Sequence, residues 1–328
     1  MLAGTGAGTE GAAIARHKKQ HFVPQCYLKA WCDPKTPAKQ EPYVWRFNKD
    51  GAAPRRKAPE NIFYQTDLYT IRQADGGRDL VLERGLSGLE GEFVTIRDSK
   101  LALRRPLTPR EHVLLCAFMA AAYARTPAQR DHLGAQWAEV LEKMDAINEW
   151  AENATPEQRR SASTLGRGSG PSFGYQDVKK LAEQPMQTML GPQVEAATPL
   201  LAGMDCAILN CTAEPGFITS DNPCVWFDPE AYKLPPIYQG VGLGSPTVEI
   251  TFPVSPRQVV FLNRKGLVGH FHAPEKAVDK LNGLTRVYCS EHFVSNSEVM
   301  KPAWFDLGVE PEDSWRKRQA RDRTAQEE

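Results

Sequence analysis

Apolar positions along the chain change their period twice, and the changes divide it into three stretches. Up to Ile71 they come in short bursts separated by polar or turn residues. Tyr43-Val-Trp-Arg-Phe47 alternates well enough for a strand and runs into Asn48-Lys-Asp-Gly51, a turn signal. Asn61-Ile-Phe-Tyr64 and Asp67-Leu-Tyr-Thr-Ile71 read as short aromatic strands or turns. The period then becomes helical. Leu82, Leu86, Leu89, Phe93 and Ile96 recur at steps of four, three, four and three, a narrow apolar stripe with Glu83 and Glu90 on its flank. Thr108-Pro-Arg-Glu111 is a capping box with proline at the first helical position, and it opens an alanine-rich helix to about Ala124. No residue between His112 and Arg125 is charged, so this helix is expected to be buried nearly all round. Arg125-Thr-Pro127 interrupts it, and an amphipathic helix is expected from about Gln129 to Ala151.

Residues 153–174, rich in Pro, Gly and Ser, read as a flexible insert. Helices resume at about Gln176 to Gln187 and Gln193 to Ala202. The third stretch is strand-like: Cys206 to Cys211, Gly216 to Thr219, Val248 to Phe252 and Gln258 to Leu262. A short helix at Pro274 to Leu284 and a strand at His292 to Ser295 close it. The order predicts an α+β protein, a helix-rich centre with short N-terminal strands and a β-rich C-terminal portion packed as one domain. Residues 17–308 form that domain in this reading, after a Gly/Ala-rich disordered leader at 1–16 and before a charged tail at 309–328.

Charge and composition narrow the partners. Forty basic and forty acidic residues cancel, so no global field draws the chain to nucleic acid or anionic lipid. The basic cluster Arg316 to Arg323 near Trp315 is interspersed with acids and reads as a solvated tail. No apolar run reaches the length of a transmembrane helix, and no membrane partner is expected. Seven cysteines, an odd number without paired spacing, argue against a disulfide framework and for a reducing cytoplasm. Cys26, Cys116, Cys206, Cys211 and Cys224 lie among apolar neighbours, as small core residues do.

The densest chemistry is His21-Phe-Val-Pro-Gln-Cys-Tyr-Leu-Lys-Ala-Trp31, which packs an imidazole, a proline, a carboxamide and three large aromatics into one segment. Polar groups recur at the ends of other apolar segments: Glu83 and Glu90, Arg125, then Asp221 and Asn222. One reading gathers them into a single cleft. His21 would act as general base or metal ligand. Glu83, Glu90 and Asp221 would hold Mg²⁺ or Mn²⁺, and Arg125 would clamp a phosphate. Gln25 and Asn222 would position the others. That set suits metal-dependent hydrolysis of a phosphodiester or nucleotide, with nucleic acid or a nucleotide as partner. In the competing reading the same groups only lock the fold of a non-enzymatic interaction protein, with Asp221-Asn222 as a turn that caps a strand. In both, Arg125 needs an acid partner from Glu83, Glu90 or Asp221, because an unpaired buried guanidinium is prohibitive.

Other chemistries find less support. His270-Phe-His272 with Cys289-x-x-His292 could make a mixed zinc site but lacks a paired Cys-x-x-Cys, and His17-x-x-x-His21 reads as a coincidence in a basic segment. Gly240-Val-Gly-Leu-Gly244 has no following Lys-Ser/Thr, and no Gly-x-Ser-x-Gly elbow occurs.

Several segments match a known pattern together. They are His21 to Trp31, Asn61 through Tyr69-Thr70, Leu82-Glu83 with Glu90, Arg125-Thr-Pro127, Phe217-Ile-Thr-Ser-Asp-Asn-Pro223, Phe252-Pro-Val-Ser-Pro256 and Leu281-Asn282. In these the chain resembles the bacterial family called domain of unknown function 4238, over about residues 17 to 298. The resemblance implies a single family-wide domain and a bacterial or phage-like source. It implies no established activity.

Overall fold

The computed structural model describes residues 19–73, 77–163, 174–236, 242–306, 308, 317–319, 321 and 324. The expected leader, most of the charged tail, His17, residues 164–173 of the expected insert and the start of the Gly240 segment lie outside the described residues.

The His21–Trp31 segment reaches farthest through the molecule. After strand β1 (Lys19–His21), Pro24 starts a single helical turn, α1 (Gln25–Leu28), which continues to Trp31. Helical spacing turns Tyr27, Leu28 and Trp31 inward, each fully buried. The Tyr27 ring stacks on Phe252 at 5.2 Å between centroids, and its hydroxyl donates to Pro253 O at 2.7 Å. Trp31 Nε1 donates to Phe217 O at 2.8 Å. These polar tips find partners because burying them without one would forfeit about 1–3 kcal/mol each.

Strands β2 (Val44–Asn48), β3 (Arg55–Lys57) and β4 (Tyr64–Thr66) follow, then the small ribbon of β5 (Ile71–Arg72) and β6 (Arg78–Asp79). β1 pairs antiparallel with β4, His21 opposite Tyr64. The helical centre opens with α2 (Val81–Ile96), which runs on through a wide π turn to Leu101. Next comes α3 (Pro109–Ala124), with the Thr108–Glu111 capping box formed in both directions. Phe93 of α2 and Phe118 of α3 stack at 3.9 Å and join these helices. The alanines of α3 let its neighbours approach closely, and eight of its residues are buried.

α4 (Pro127–Asn153) forms as an amphipathic helix, although none of its residues is fully buried. Leu133, Trp137, Leu141 and Met144 make a half-buried stripe, with Ile147 and Trp150 exposed, and the helix packs mainly against α6 (Tyr175–Glu183). Part of the expected flexible insert is helical, α5 (Pro156–Ser163). α7 (Pro185–Ala202) begins at Pro185, earlier than the apolar pattern suggests, because proline suits the first turn.

The C-terminal portion holds β7 (Asp205–Asn210), β8 (Thr219–Ser220), β9 (Val225–Phe227), β10 (Glu249–Ser255), β11 (Gln258–Asn263) and β12 (Gly269–His272). Helix α8 (Glu275–Tyr288) and β13 (His292–Ser295) end it. One sheet has the order β12-β7-β11-β10-β9, the other β3-β2-β13-β8. The second joins N-terminal to C-terminal strands. A continuous core draws Tyr27 and Trp31, the α2 and α3 aromatics, Phe252 and Val294 together, so helix-rich and β-rich parts form one α+β domain. Gly216 supports this junction: at φ +87° a Cβ would lie 2.0 Å from Pro256 O, so only glycine fits. Buried Asn282 holds the same segment, donating to Gly216 O and accepting from Ile218 N.

Candidate functional site

Beside α1 lies a cavity of about 350 Å³ whose walls include His21, Gln25, Glu83 and Glu90. Two local geometries make it. The α1 turn sends Tyr27 and Trp31 into the core and leaves Gln25, Cys26 and Lys29 on the cavity side. On α2, Glu83, Leu86, Ser87 and Glu90 follow the i, i+3, i+4, i+7 rule and form one face toward it. The two glutamates stand about 10 Å apart along the axis, at a rise of about 1.5 Å per residue.

Each polar group in this cavity has a defined support. His21 Nε2 lies 3.2 Å from Glu60 O, and a carbonyl only accepts, so Nε2 carries the proton. Nδ1 therefore holds the lone pair, facing Gln25 Nε2 at a long 3.4 Å. Burial pushes the imidazole below the ordinary histidine value; the Glu60 carbonyl and Glu90 oppose that shift, and Lys19 and Arg125 add to it. Gln20, buried one residue before, donates to Glu83 Oε2 at 2.8 Å and accepts from Tyr69 N at 2.6 Å. Arg125 Nη1 donates to Glu90 Oε1 at 2.8 Å. Cys26 Sγ lies 3.9 Å from Glu90 Oε2, and burial first, then Glu90, push its thiol up to about 11. It is therefore a protonated thiol near neutral pH, unsuited to nucleophilic attack.

Arg125 corrects an expectation. Its side chain is fully buried, capping α3 behind Glu90 with the guanidinium 5.6 Å from the Phe118 ring. It does not line the cavity, so its reach is to Glu90 and not to a phosphate. Among the described residues its Nε and Nη2 find no hydrogen-bond partner, which leaves the Glu90 contact as its ion pair there.

Asp221 and Asn222 sit elsewhere. Asp221 accepts from Ser290 N, Glu291 N and His292 N at 2.7, 2.7 and 2.9 Å, pinning the loop between α8 and β13 to the end of β8. Burial raises its carboxyl above the ordinary aspartate value against the pull of those three donors. Asn222 donates to Tyr288 O at 3.1 Å. Neither joins His21, and the expected convergence stops at His21, Gln25, Glu83 and Glu90 with Arg125 one layer behind.

The family model for Protein of unknown function (DUF4238) matches residues 19–298. The chain belongs to this family. No curated protein and no solved structure matches it.

Three further groups in the DUF4238 cavity escaped the sequence reading: Lys19, Lys29 and Gln20. Lys29 is four residues beyond Gln25, a helical spacing that could have revealed it. Gln20 gave no signal, because a lone glutamine before a histidine carries no period. Among the described residues of this DUF4238 chain, no three His, Cys, Asp or Glu side chains stand together as a ready-made metal set. The four groups of the zinc alternative are divided: His270 and His272 lie on the five-stranded sheet, Cys289 and His292 beside the other. No helix among the described residues is long and apolar enough to cross a membrane.

Proposed function

We propose that the His21 cavity is a hydrolytic site for a phosphodiester or nucleotide. The supporting observation is that an imidazole held below its ordinary value faces the same cavity as two carboxylates from one helix face. A neutral imidazole with its Nδ1 lone pair toward the cavity suits general-base activation of water, once water replaces the long Gln25 contact. Lys19 and Lys29 line the same walls and supply positive charge toward a phosphate.

Glu83 and Glu90 would hold the Mg²⁺ or Mn²⁺ of this reading. Such ions are commonly bound by one or two protein carboxylates plus water and substrate phosphate, so, with the glutamates about 10 Å apart along the helix, one of them directly and the other through bound water would serve. The ion would offset charge on the phosphate. Gln20 fixes the Glu83 carboxylate, and Arg125 fixes that of Glu90.

The test is turnover of nucleotides and of short RNA and DNA with Mn²⁺, Mg²⁺ or EDTA present. Activity that needs the ion and vanishes in a folded His21→Ala variant supports the reading. Its acidic limb in kcat/KM should fall below pH 6.5, because depression of the His21 pKa keeps the imidazole neutral to lower pH. A limb at or above that value would count against His21 as the base. A second reading, a non-enzymatic interaction protein, draws on the same closed contacts, Gln20 to Glu83 and Arg125 to Glu90, as devices that lock α2 in place. It gains if no substrate turns over while His21→Ala lowers stability.

A further inference from the structure

A second cavity, of about 540 Å³, is lined by Phe22, Phe63, Tyr64, Arg46, Asn61 and His292, among others. Tyr64 and His21 are cross-strand partners on one face of the β1–β4 ribbon with rings 5.5 Å apart, and each lines a different cavity, so the two cavities are close neighbours.

The charges here are arranged unlike those around His21. Arg46 on β2 stands directly opposite Arg55 on β3, the edge strand of its sheet. Alternation puts Arg46, Arg55 and His292 on the same face, while Arg56 turns to the other and stacks on Tyr43 and Trp45 at 5.1 and 4.8 Å. Like charges directly opposite one another destabilise a sheet. Arg46 Nε is buried with no hydrogen-bond partner among the described residues. Arg55 is exposed, stands beside Arg46 outside the cavity lining itself, and makes no ion pair among the described residues.

Three acids line the same cavity, Asp131, Asp221 and Glu291, and of these Glu291 offsets part of the Arg55 repulsion on Arg46. Asp221 spends both oxygens on three backbone N–H groups, and Asp131 pairs with Arg130 at 2.8 Å. Glu291 is 80% exposed and lies nearest His292, at 3.6 Å. Burial and Arg46 keep His292 below its ordinary value, so it offers a hydrogen bond without adding charge. Helix α4 begins at Pro127 on the cavity wall, bringing the positive end of its backbone dipole there.

We propose that Arg46 and Arg55, with His292 and Asn61, form an anion site that binds the phosphate of a phosphate ester, whose flat apolar part rests on Phe22, Phe63 and Tyr64. The facing guanidiniums are then bridged by the phosphate, which turns their repulsion into a clamp. Arginine forks match phosphate oxygens two at a time. The site stands on its own geometry and requires no catalysis in the neighbouring cavity.

Binding is measured by calorimetry and thermal shift with inorganic phosphate, AMP, adenosine and a short single-stranded DNA. AMP should bind, raise the melting temperature and weaken with added salt. Arg46→Gln and Arg55→Gln should each weaken it about tenfold or more, with Arg46→Lys between wild type and Arg46→Gln. Without ligand, Arg55→Gln should melt no lower than wild type, since one of two facing cations is gone. Should Arg46→Gln fail to fold, Arg55→Gln at its exposed position decides the matter. Retained AMP binding in His21→Ala separates this site from the hydrolytic reading. Inorganic phosphate and AMP binding without DNA would assign a mononucleotide, and DNA binding with the same arginine dependence a strand. Adenosine binding as tightly as AMP, or AMP binding unchanged in both arginine variants, overturns the proposal.

Discussion

His21 and Asp221 are both titratable groups at the ends of apolar segments, yet folding uses them in opposite ways. Asp221 has both oxygens saturated by three backbone N–H groups within 2.9 Å, and the loop before β13 closes over it. His21 keeps one nitrogen on a carbonyl and the other on a 3.4 Å contact, in a cavity it shares with two carboxylates and two lysines. The difference is one of saturation. A carboxylate that has spent its acceptor capacity on main chain is a fold-locking device, whereas a long contact facing open volume leaves capacity for a ligand.

The largest expected effect tests the saturated side. Asp221→Ala strands three part-buried backbone donors at once, and each unsatisfied donor costs about 1–3 kcal/mol. Chemical denaturation should show a loss on the order of 3–6 kcal/mol, with Asp221→Asn between. A loss under about 1 kcal/mol would remove the contrast, because the N–H groups would then have found water.

A smaller loss probes whether the His21 side is free of structural duty. Glu90→Gln takes away the charge facing the fully buried Arg125, and removing one member of a buried pair costs roughly 3–5 kcal/mol. Glu90 is itself 27% exposed, which favours the lower end, about 3 kcal/mol. Adding Arg125→Met to Glu90→Gln should restore most of that, since apolar replacement of a whole buried pair is often neutral. If Glu90→Gln unfolds at wild-type denaturant concentration, the ion pair contributes nothing and Glu90 belongs to the cavity alone.

How much of this was legible in the sequence depends on whether a residue belonged to a period. α2, α3, β2 and β13 could be read because their apolar spacing is local and regular. The α+β layout followed from them. The amphipathic stripe of α4 was legible too, but not how shallowly it is buried, because which neighbours pack on a helix is a tertiary matter. His21, Gln25, Glu83 and Glu90 could be grouped from residue type and motif, and the cavity does gather them. Asp221 carried the same kind of signal, and only the fold reveals the three N–H groups it serves. Arg46 looked like the polar position of an alternating strand. Its meaning comes from Arg55, nine residues away and opposite it across a turn, and strand register is not fixed by alternation alone.

The smallest expected effect sharpens the contrast from the helix that carries both glutamates. Gly85, Gly88 and Gly91 lie in the interior of α2, spaced three apart, on the side turned away from Glu83 and Glu90. A Cβ at any of them would meet nothing within 4 Å. Glycine in a helix interior is less favourable than alanine by about 0.8–1.0 kcal/mol, because it leaves the unfolded backbone more freedom. Gly88→Ala should therefore raise stability by about 0.8 kcal/mol, read as a shift of the denaturation midpoint at constant slope. Hydrogen exchange of the α2 amides should slow with it. Asp221 also borders open volume, in the second cavity, but its oxygens are already taken by main chain. A destabilised Gly88→Ala would mean that the glycine face of α2, opposite the cavity, is covered in solution.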